Sequence, residues 1–503
     1  MKWLPWLIFA VFGFFLVGNN FSAKLGMIDD HEIAMFLGGD GKINLTEIPE
    51  VIMSTEIGQW GSYLRYRPSY YTLRVIESAL WRDNASLWYV SRYLMLVVSL
   101  WLGWKIVSTY FPKIVSYLFV FYILTMPFWP DLLTRLGPSE IYAIPASLLF
   151  VYGLIKNKLW MVSLGYAVCV GAKENFLILF PILIGWAGYK VYSKKLTRRE
   201  LIATIVLTLY TLFIAGAILV ATSRAGIDIY GTKISYRYRI TKLLWDIPKI
   251  TQNRNLFLAA ILMVVAGIFS AWYCFKQGYK KMIHGSIFRH VVLILVLVIV
   301  IASQYIFYIN LLPSNMRYDF PALLLFPIID LIALRTIVVF FAKHKYGKVI
   351  KISIYAAIVV CCSFYVFHNG YRMIQAQSEK NAVNTQKFET GLLRSKRLIG
   401  KNREVTIIFV SKSYADFEPI VSVERFLTAG GVTNEFRLYY NPAKTTSDPM
   451  ELDDRLKQVM KGNLGTDHIF DRFSAYKLDD KPCYSITFGE ALPLPQCSAI
   501  AQF

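Results

Sequence analysis

A polytopic α-helical membrane protein with a small α/β domain at its C-terminal end is the fold class this sequence predicts, from three observations. Of its 503 residues 55% are hydrophobic and only 17% charged, too apolar for a soluble globule. The apolar residues gather in runs long enough to cross a bilayer rather than in short amphipathic stretches. After His368 the composition changes to that of a soluble domain. The expected division is therefore a membrane module over 1–367 and a soluble domain over 368–503.

The first run, Trp3 to Val17, could pass for a signal peptide, but Asn19-Asn20-Phe21-Ser22 offers no small-residue cleavage site, so it is read as a retained span. Further runs follow at Ser86–Val107, Ile114–Trp129, Ile141–Ile155, Leu159–Gly171, Phe176–Tyr189, Leu201–Ala221, Leu256–Phe275, Val291–Leu311, Pro321–Phe341 and Ile352–Phe367. That gives about eleven spans.

With the N-terminus in the cytoplasm, the inner loops are Lys105–Lys113, Lys156–Lys158, Lys190–Glu200, Lys276–His290 and Lys343–Lys351. They are dense in lysine and arginine and hold a single acid, Glu200, as the positive-inside rule favours. The net charge of +21 then belongs to orientation and to anionic lipid, and nucleic acid is not an expected partner. Every unusual polar cluster falls on the outer face. These are Asp29-Asp30-His31-Glu32, Arg65-Tyr66-Arg67-Pro68, the run Arg135 to Glu140, Lys173-Glu174-Asn175 and Arg317-Tyr318-Asp319.

Within the outer loop 19–84, Asp30–Leu37 and Pro68–Trp81 read as short helices, the second opened by proline at its first turn. Tyr70, Leu73, Val75, Ile76, Leu80 and Trp81 suggest an apolar face lying on the membrane, with Arg67, Arg74 and Arg82 toward headgroups. In Thr222–Arg254, aromatics alternate with Lys233, Arg237, Arg239 and Lys242, which suits an interfacial belt or a clamp for lipid phosphate. Beyond His368, strands are expected at Glu404–Val410, Glu435–Tyr439 and Tyr484–Phe488. Helices are expected at Phe417–Leu427, ended by Gly430-Gly431, and at Asp448–Met460. Of the six cysteines only Cys483 and Cys497 lie in this soluble part, where an oxidising compartment allows a bridge.

The stretch that carries most chemistry is Gly26 to Ile33, which sets three carboxylates and an imidazole just past the first span. A carboxylate kept out of bulk water by neighbouring protein can act as a general base; acids in a first helical turn are equally an ordinary solvated start. Carboxylates, cations and interfacial aromatics on an outer face suit transfer between a lipid-linked phosphate and a hydroxyl-bearing acceptor. No nucleotide sugar is present there, so the donor must arrive activated.

These residues resemble the GT-C glycosyltransferases, membrane enzymes that use polyprenyl-linked donors. Asp29-Asp30 looks like their acidic pair after the first span, Pro68–Trp81 like their surface helix and Glu140 like their second acidic site. Lys173, Glu174 and Arg317 look like the phosphate-binding end. The resemblance covers roughly the first 320 residues. In size, in its large first outer loop and in its outer C-terminal domain the chain is similar to the serotype-converting O-antigen glucosyltransferases of enteric bacteria. That similarity implies an inverting hexosyltransferase of the bacterial inner membrane, moving glucose from undecaprenyl phosphate to a lipid-linked oligosaccharide or O-antigen on the periplasmic side. Asp29, Asp30 and Glu32 are the candidate catalytic acids; the pair is Asp29-Asp30 or Asp30 with Glu32, and Asp29 is the favoured base with Asp30 orienting acceptor or base. His31, Arg65, Arg67, Glu140, Lys173, Glu174, Arg237, Arg239 and Arg317 are the candidate substrate contacts. No resident cofactor is implied, although the acidic run leaves room for a divalent cation. Rival readings are an O-antigen polymerase or ligase, a polyprenyl-lipid flippase or transporter, and an assembly protein without catalysis.

Overall fold

The computed structural model describes residues 3–58, 65–124, 128–225, 286–307, 320–341, 370–400, 404–412, 416–440 and 482–503, with isolated positions between them. Helices dominate up to Ile399, and a small parallel sheet follows. Among the described residues, Leu4–Ser22, Ala85–Val107, Glu174–Tyr192 and Arg198–Val220 are long and apolar enough to cross a membrane. Shorter apolar helices lie at Lys113–Ile123, Leu159–Ala172 and Ile294–Tyr305. The expected count of about eleven spans is not reproduced at that criterion. The expected span Leu256–Phe275 and helix Asp448–Met460 lie outside the described residues, as does much of Ile352–Phe367.

Local chemistry accounts for several element boundaries. Asn84 caps Ala85–Val107 by accepting from the Leu87 amide, and 23 helical residues reach about 34 Å, enough for the hydrocarbon core. Glu140–Lys156 and Leu159–Ala172 form a helical hairpin that turns at Asn157, in the left-handed region. Gly165 packs so close to the opposite helix that a Cβ there would meet the Phe150 amide at 2.5 Å and the Ala146 carbonyl at 2.6 Å. Small residues that admit backbone contact are how apolar helices pack tightly in lipid. Within the expected span Ile114–Trp129 the described residues form the helix Lys113–Ile123, and the short helix Trp129–Leu133, opened by Pro130, begins at its far end.

The helix Pro68–Trp81 has the expected boundaries, but not all of its side chains lie where the sequence puts them. Its buried residues are Tyr70, Tyr71, Arg74, Val75, Glu77 and Ser78, whereas Ile76 and Leu80 are exposed. Arg74, expected at lipid headgroups, is fully buried. It donates to the Leu136 carbonyl at 2.6 Å and lies over the Trp88 ring. The pattern misleads because tyrosine and arginine can face inward wherever the interior offers acceptors.

After the apolar helices, an unforeseen helix of 29 residues, Tyr371–Ile399, runs past the first helix and reaches the sheet. Among the described residues every strand pairing is parallel. Strands β1 (Thr406–Ser411), β2 (Phe436–Tyr440), β3 (Cys483–Thr487) and β4 (Ser498–Gln502) stand in the order β2-β1-β3-β4. Ile407, Phe409, Ile420, Val423, Phe436 and Ile486 form its core. The helix Phe417–Ala429 ends at Gly430, and Gly431 takes φ +84°, the expected glycine stop. Cys483 and Cys497 are bridged, as expected.

Candidate active site

The acidic helix His31–Leu37 is wedged between Pro68–Trp81 on one side and Phe417–Ala429 on the other. Leu25, Met27 and Ala34 pack onto the core of the sheet domain. The run is thus no solvated helix start, and its four polar residues go four different ways.

Asp29 turns outward. Its backbone has φ +68°, a left-handed conformation that is uncommon outside glycine and that aspartate tolerates better than most residues. Protein surrounds it, yet its side chain is 40% accessible. Oδ2 pairs with Arg135 at 3.0 Å, and Arg135 also holds Asp131 at 3.2 Å. Arg317 reaches Asp131 at 3.4 Å. Burial works to raise the Asp29 carboxyl, but the Arg135 and Arg317 guanidiniums prevail and hold it below the usual carboxylate range. Gly137 lies against Asp29, where any Cβ would collide with its carboxylate, so glycine is required for the approach.

Asp30 turns inward. Its Oδ2 accepts from the Gly26 amide at 2.6 Å; Oδ1 lies 3.8 Å from Arg74 and makes no hydrogen bond among the described residues. Burial pushes its carboxyl up to about 7, against the pull of Arg74. Glu32 accepts from Tyr70 at 3.0 Å through one oxygen and from Tyr71 at 3.3 Å through the other. Burial raises it as well. His31 faces the C-terminal domain, within 3.1 Å of Ser422 Oγ and 3.2 Å of an Arg425 nitrogen. Burial and then Arg425 push its imidazole down to about 3, so it is neutral.

The remaining expected site residues divide. Arg67 grips Glu56 at 2.7 Å and lies over the Tyr70 and Tyr71 rings. Lys173 and Glu140, expected to hold phosphate and to act as a second acid, form a buried ion pair with each other. Arg65 acts electrostatically on Glu174 and on Glu418. Arg237 is exposed, and Arg239 lies outside the described residues. Among the described residues no three ligating side chains converge as a metal site. Asp29, Asp30 and Glu32 point apart, so the acidic run does not fit the divalent cation the sequence left room for.

Several participants carry no role in the sequence reading. Asp131 and Arg135 stand four apart, the spacing of a helical ion pair, which could have flagged them. Tyr70, Tyr71 and Arg74 look like interface residues by composition. Glu418 gave no signal at all. Burial and then the Asp29 charge raise its carboxyl, while Arg135, Arg317 and Arg65 pull the other way, which sets it beside the same cluster.

No family model matches this chain, and no curated protein does. Among solved structures it is similar to the Archaeoglobus fulgidus oligosaccharyltransferase in complex with Zn and sulfate. The identity is 12%, the TM-score 0.47, and the match covers 84% of this chain and 61% of that one. The chain thus spans about three fifths of that protein's length. At this level of similarity no activity passes from one chain to the other.

Proposed function

We propose that this protein is a membrane glycosyltransferase that moves a sugar from a polyprenyl-phosphate donor to a glycan acceptor on the outer face, with Asp29 as general base. The observation that carries the reading is the pairing of an accessible carboxylate with Arg135, beside Arg317. The other two acids are less available, since Asp30 is buried and both oxygens of Glu32 receive tyrosine hydroxyls. A base must first reach its proton, and only then does its pKa count.

In the reaction an acceptor hydroxyl oxygen bonds to the anomeric carbon as the bond from that carbon to the phosphate oxygen breaks. The bonding pair leaves with the lipid phosphate, the hydroxyl proton passes to Asp29, and a single displacement inverts the anomeric centre. Arg135 and Arg317 meet the departing phosphate. The phosphate also competes for Arg135, and its negative charge weakens the hold that keeps the Asp29 carboxyl low. Donor binding therefore makes Asp29 a better base.

The finer reading follows the resemblance in the first outer loop. The sugar is glucose, the carrier undecaprenyl phosphate and the acceptor O-antigen or its lipid-linked precursor, with cluster and C-terminal domain in the periplasm. One observation favours a transporter instead. Asp330 is buried within Ala322–Phe341, and its Oδ1 has no hydrogen-bond partner among the described residues. Expression in a strain of defined O-antigen, with mass and NMR analysis of the polysaccharide, separates the two. A single added hexose branch, lost with Asp29→Asn, is the expected result. Altered chain length would indicate a polymerase, and unmodified polysaccharide with redistributed lipid-linked precursor a flippase.

A further inference from the structure

The transferase reading leaves the C-terminal domain without a task, yet that domain makes the contacts that shape the acidic turn. Lys24 donates its amide to Thr385 Oγ1 at 2.9 Å, on the long helix that leads into the sheet. Leu25, Met27 and Ala34 complete the domain's hydrophobic core. Between them His31 is held from both ring nitrogens by the helix Phe417–Ala429. An arginine can only donate, so Nε2 accepts from Arg425, and the proton of the neutral ring sits on Nδ1 and is donated to Ser422 Oγ. The Phe426 ring stands edge-on to the imidazole at 6.4 Å.

These contacts bracket Asp29, whose left-handed backbone persists only where the surroundings enforce it. Asp29 lies two residues before His31, and Asp30, between them, ties back to the Gly26 amide. On Phe417–Ala429, Ser422 and Arg425 share a face with Glu418, one turn nearer the helix start. That spacing carries the same face on from His31 toward Asp29.

We infer that the C-terminal domain sets Asp29 in its working position through His31, which is a positioning residue. The inference rests on the transferase reading for its kinetic consequence but not for its structural one. It requires a neutral side chain at 31 that both donates and accepts, a demand that glutamine meets and alanine does not.

The test uses the full chain in membranes or detergent, with polyprenyl-phosphate sugar as donor. A reacting group displaced by about 1 Å costs about 100-fold in rate. His31→Ala should therefore lower kcat by 10- to 100-fold (on the order of a 1 Å displacement) with donor KM unchanged, and His31→Gln should restore kcat to near wild type. Hydrogen exchange at the amides of 28–33 should speed up in His31→Ala and not in His31→Gln, while Ala85–Val107 keeps its protection. Should His31→Ala misfold, Arg425→Gln read by the same exchange takes its place. Three results would overturn the inference: unchanged kcat and exchange in His31→Ala, a rise in donor KM alone, or His31→Gln failing as badly as alanine. If wild type transfers no sugar, the transferase reading falls, and the exchange result decides the coupling by itself.

Discussion

Two sets of charges that the sequence expectation assigns to one face have opposite characters. Around Asp29, with Arg135, Asp131 and Arg317, the carboxylates and Arg135 keep 30–40% of their side chains accessible. Around Lys173 and Glu140, Arg67 and Glu56, and Arg92 and Glu77, the charges are sealed against each other. Arg92 and Glu77 share Tyr142 as well, which ties Pro68–Trp81, Ala85–Val107 and Glu140–Lys156 together. A sealed pair is committed to the fold. An open pair can exchange partners with a substrate. The difference teaches that a charge expected on the outer face marks a site only where water, and hence a phosphate, can reach it.

The largest effect that would sharpen this contrast is on stability. Removing one partner of a buried ion pair leaves an uncompensated charge and costs about 3–5 kcal/mol. Lys173→Met should lower the thermal unfolding midpoint steeply, and Lys173→Met combined with Glu140→Leu should recover much of the loss. The donor KM of the folded fraction should not move. A raised KM at full stability would instead put Lys173 on the phosphate and break the contrast.

A smaller effect is expected at the open cluster. Hydrogen bonds to charged groups are worth about 1.5–3 kcal/mol, whereas exposed ion pairs add at most about 1 kcal/mol to stability. Arg135→Gln should accordingly raise the donor KM by about tenfold or more with an unfolding midpoint close to wild type.

A third contrast concerns pH, and the neighbours Asp30 and His31 should act with opposite sign. Asp30 is raised to about 7 in the fold, so the native state keeps a proton that the unfolded chain has already released. Its contribution to stability falls as pH rises from the ordinary carboxylate value toward 7. His31 is lowered to about 3, so the unfolded chain takes up a proton that the native state refuses. Its contribution falls as pH drops from the ordinary imidazole value toward 3. Unfolding midpoints between pH 4 and 7 should therefore decline less with rising pH in Asp30→Asn, and decline less with falling pH in His31→Gln. Parallel profiles for both variants would contradict the two environments.

The contrast also shows what the sequence made legible. The apolar runs gave most helices to within a few residues, because span length and capping are local properties. Pro68–Trp81 was located by its proline, and Cys483–Cys497 by their shared setting. The acidic run was found because three acids and a histidine beside a span are unusual. Their division into one open and three enclosed side chains was not legible, since it depends on Tyr70, Tyr71 and Arg74 from one helix and Ser422 and Arg425 from another almost 400 positions away. Lys173 and Glu140 were read as separate ligands for the same reason. Nothing local says that residues 33 positions apart neutralise each other.

The central claim is that Asp29, in the open cluster, carries the chemistry. Its most direct test is the rate of sugar transfer from a polyprenyl-phosphate donor by purified Asp29→Asn, set against wild type and normalised to folded protein. Loss of a general base typically costs about two to four orders of magnitude, and the amide is nearly isosteric with the carboxylate. A fall of that size with the unfolding midpoint retained is the predicted result. Transfer within a few-fold of wild type would contradict the account and move the chemistry to an acid it places in the fold.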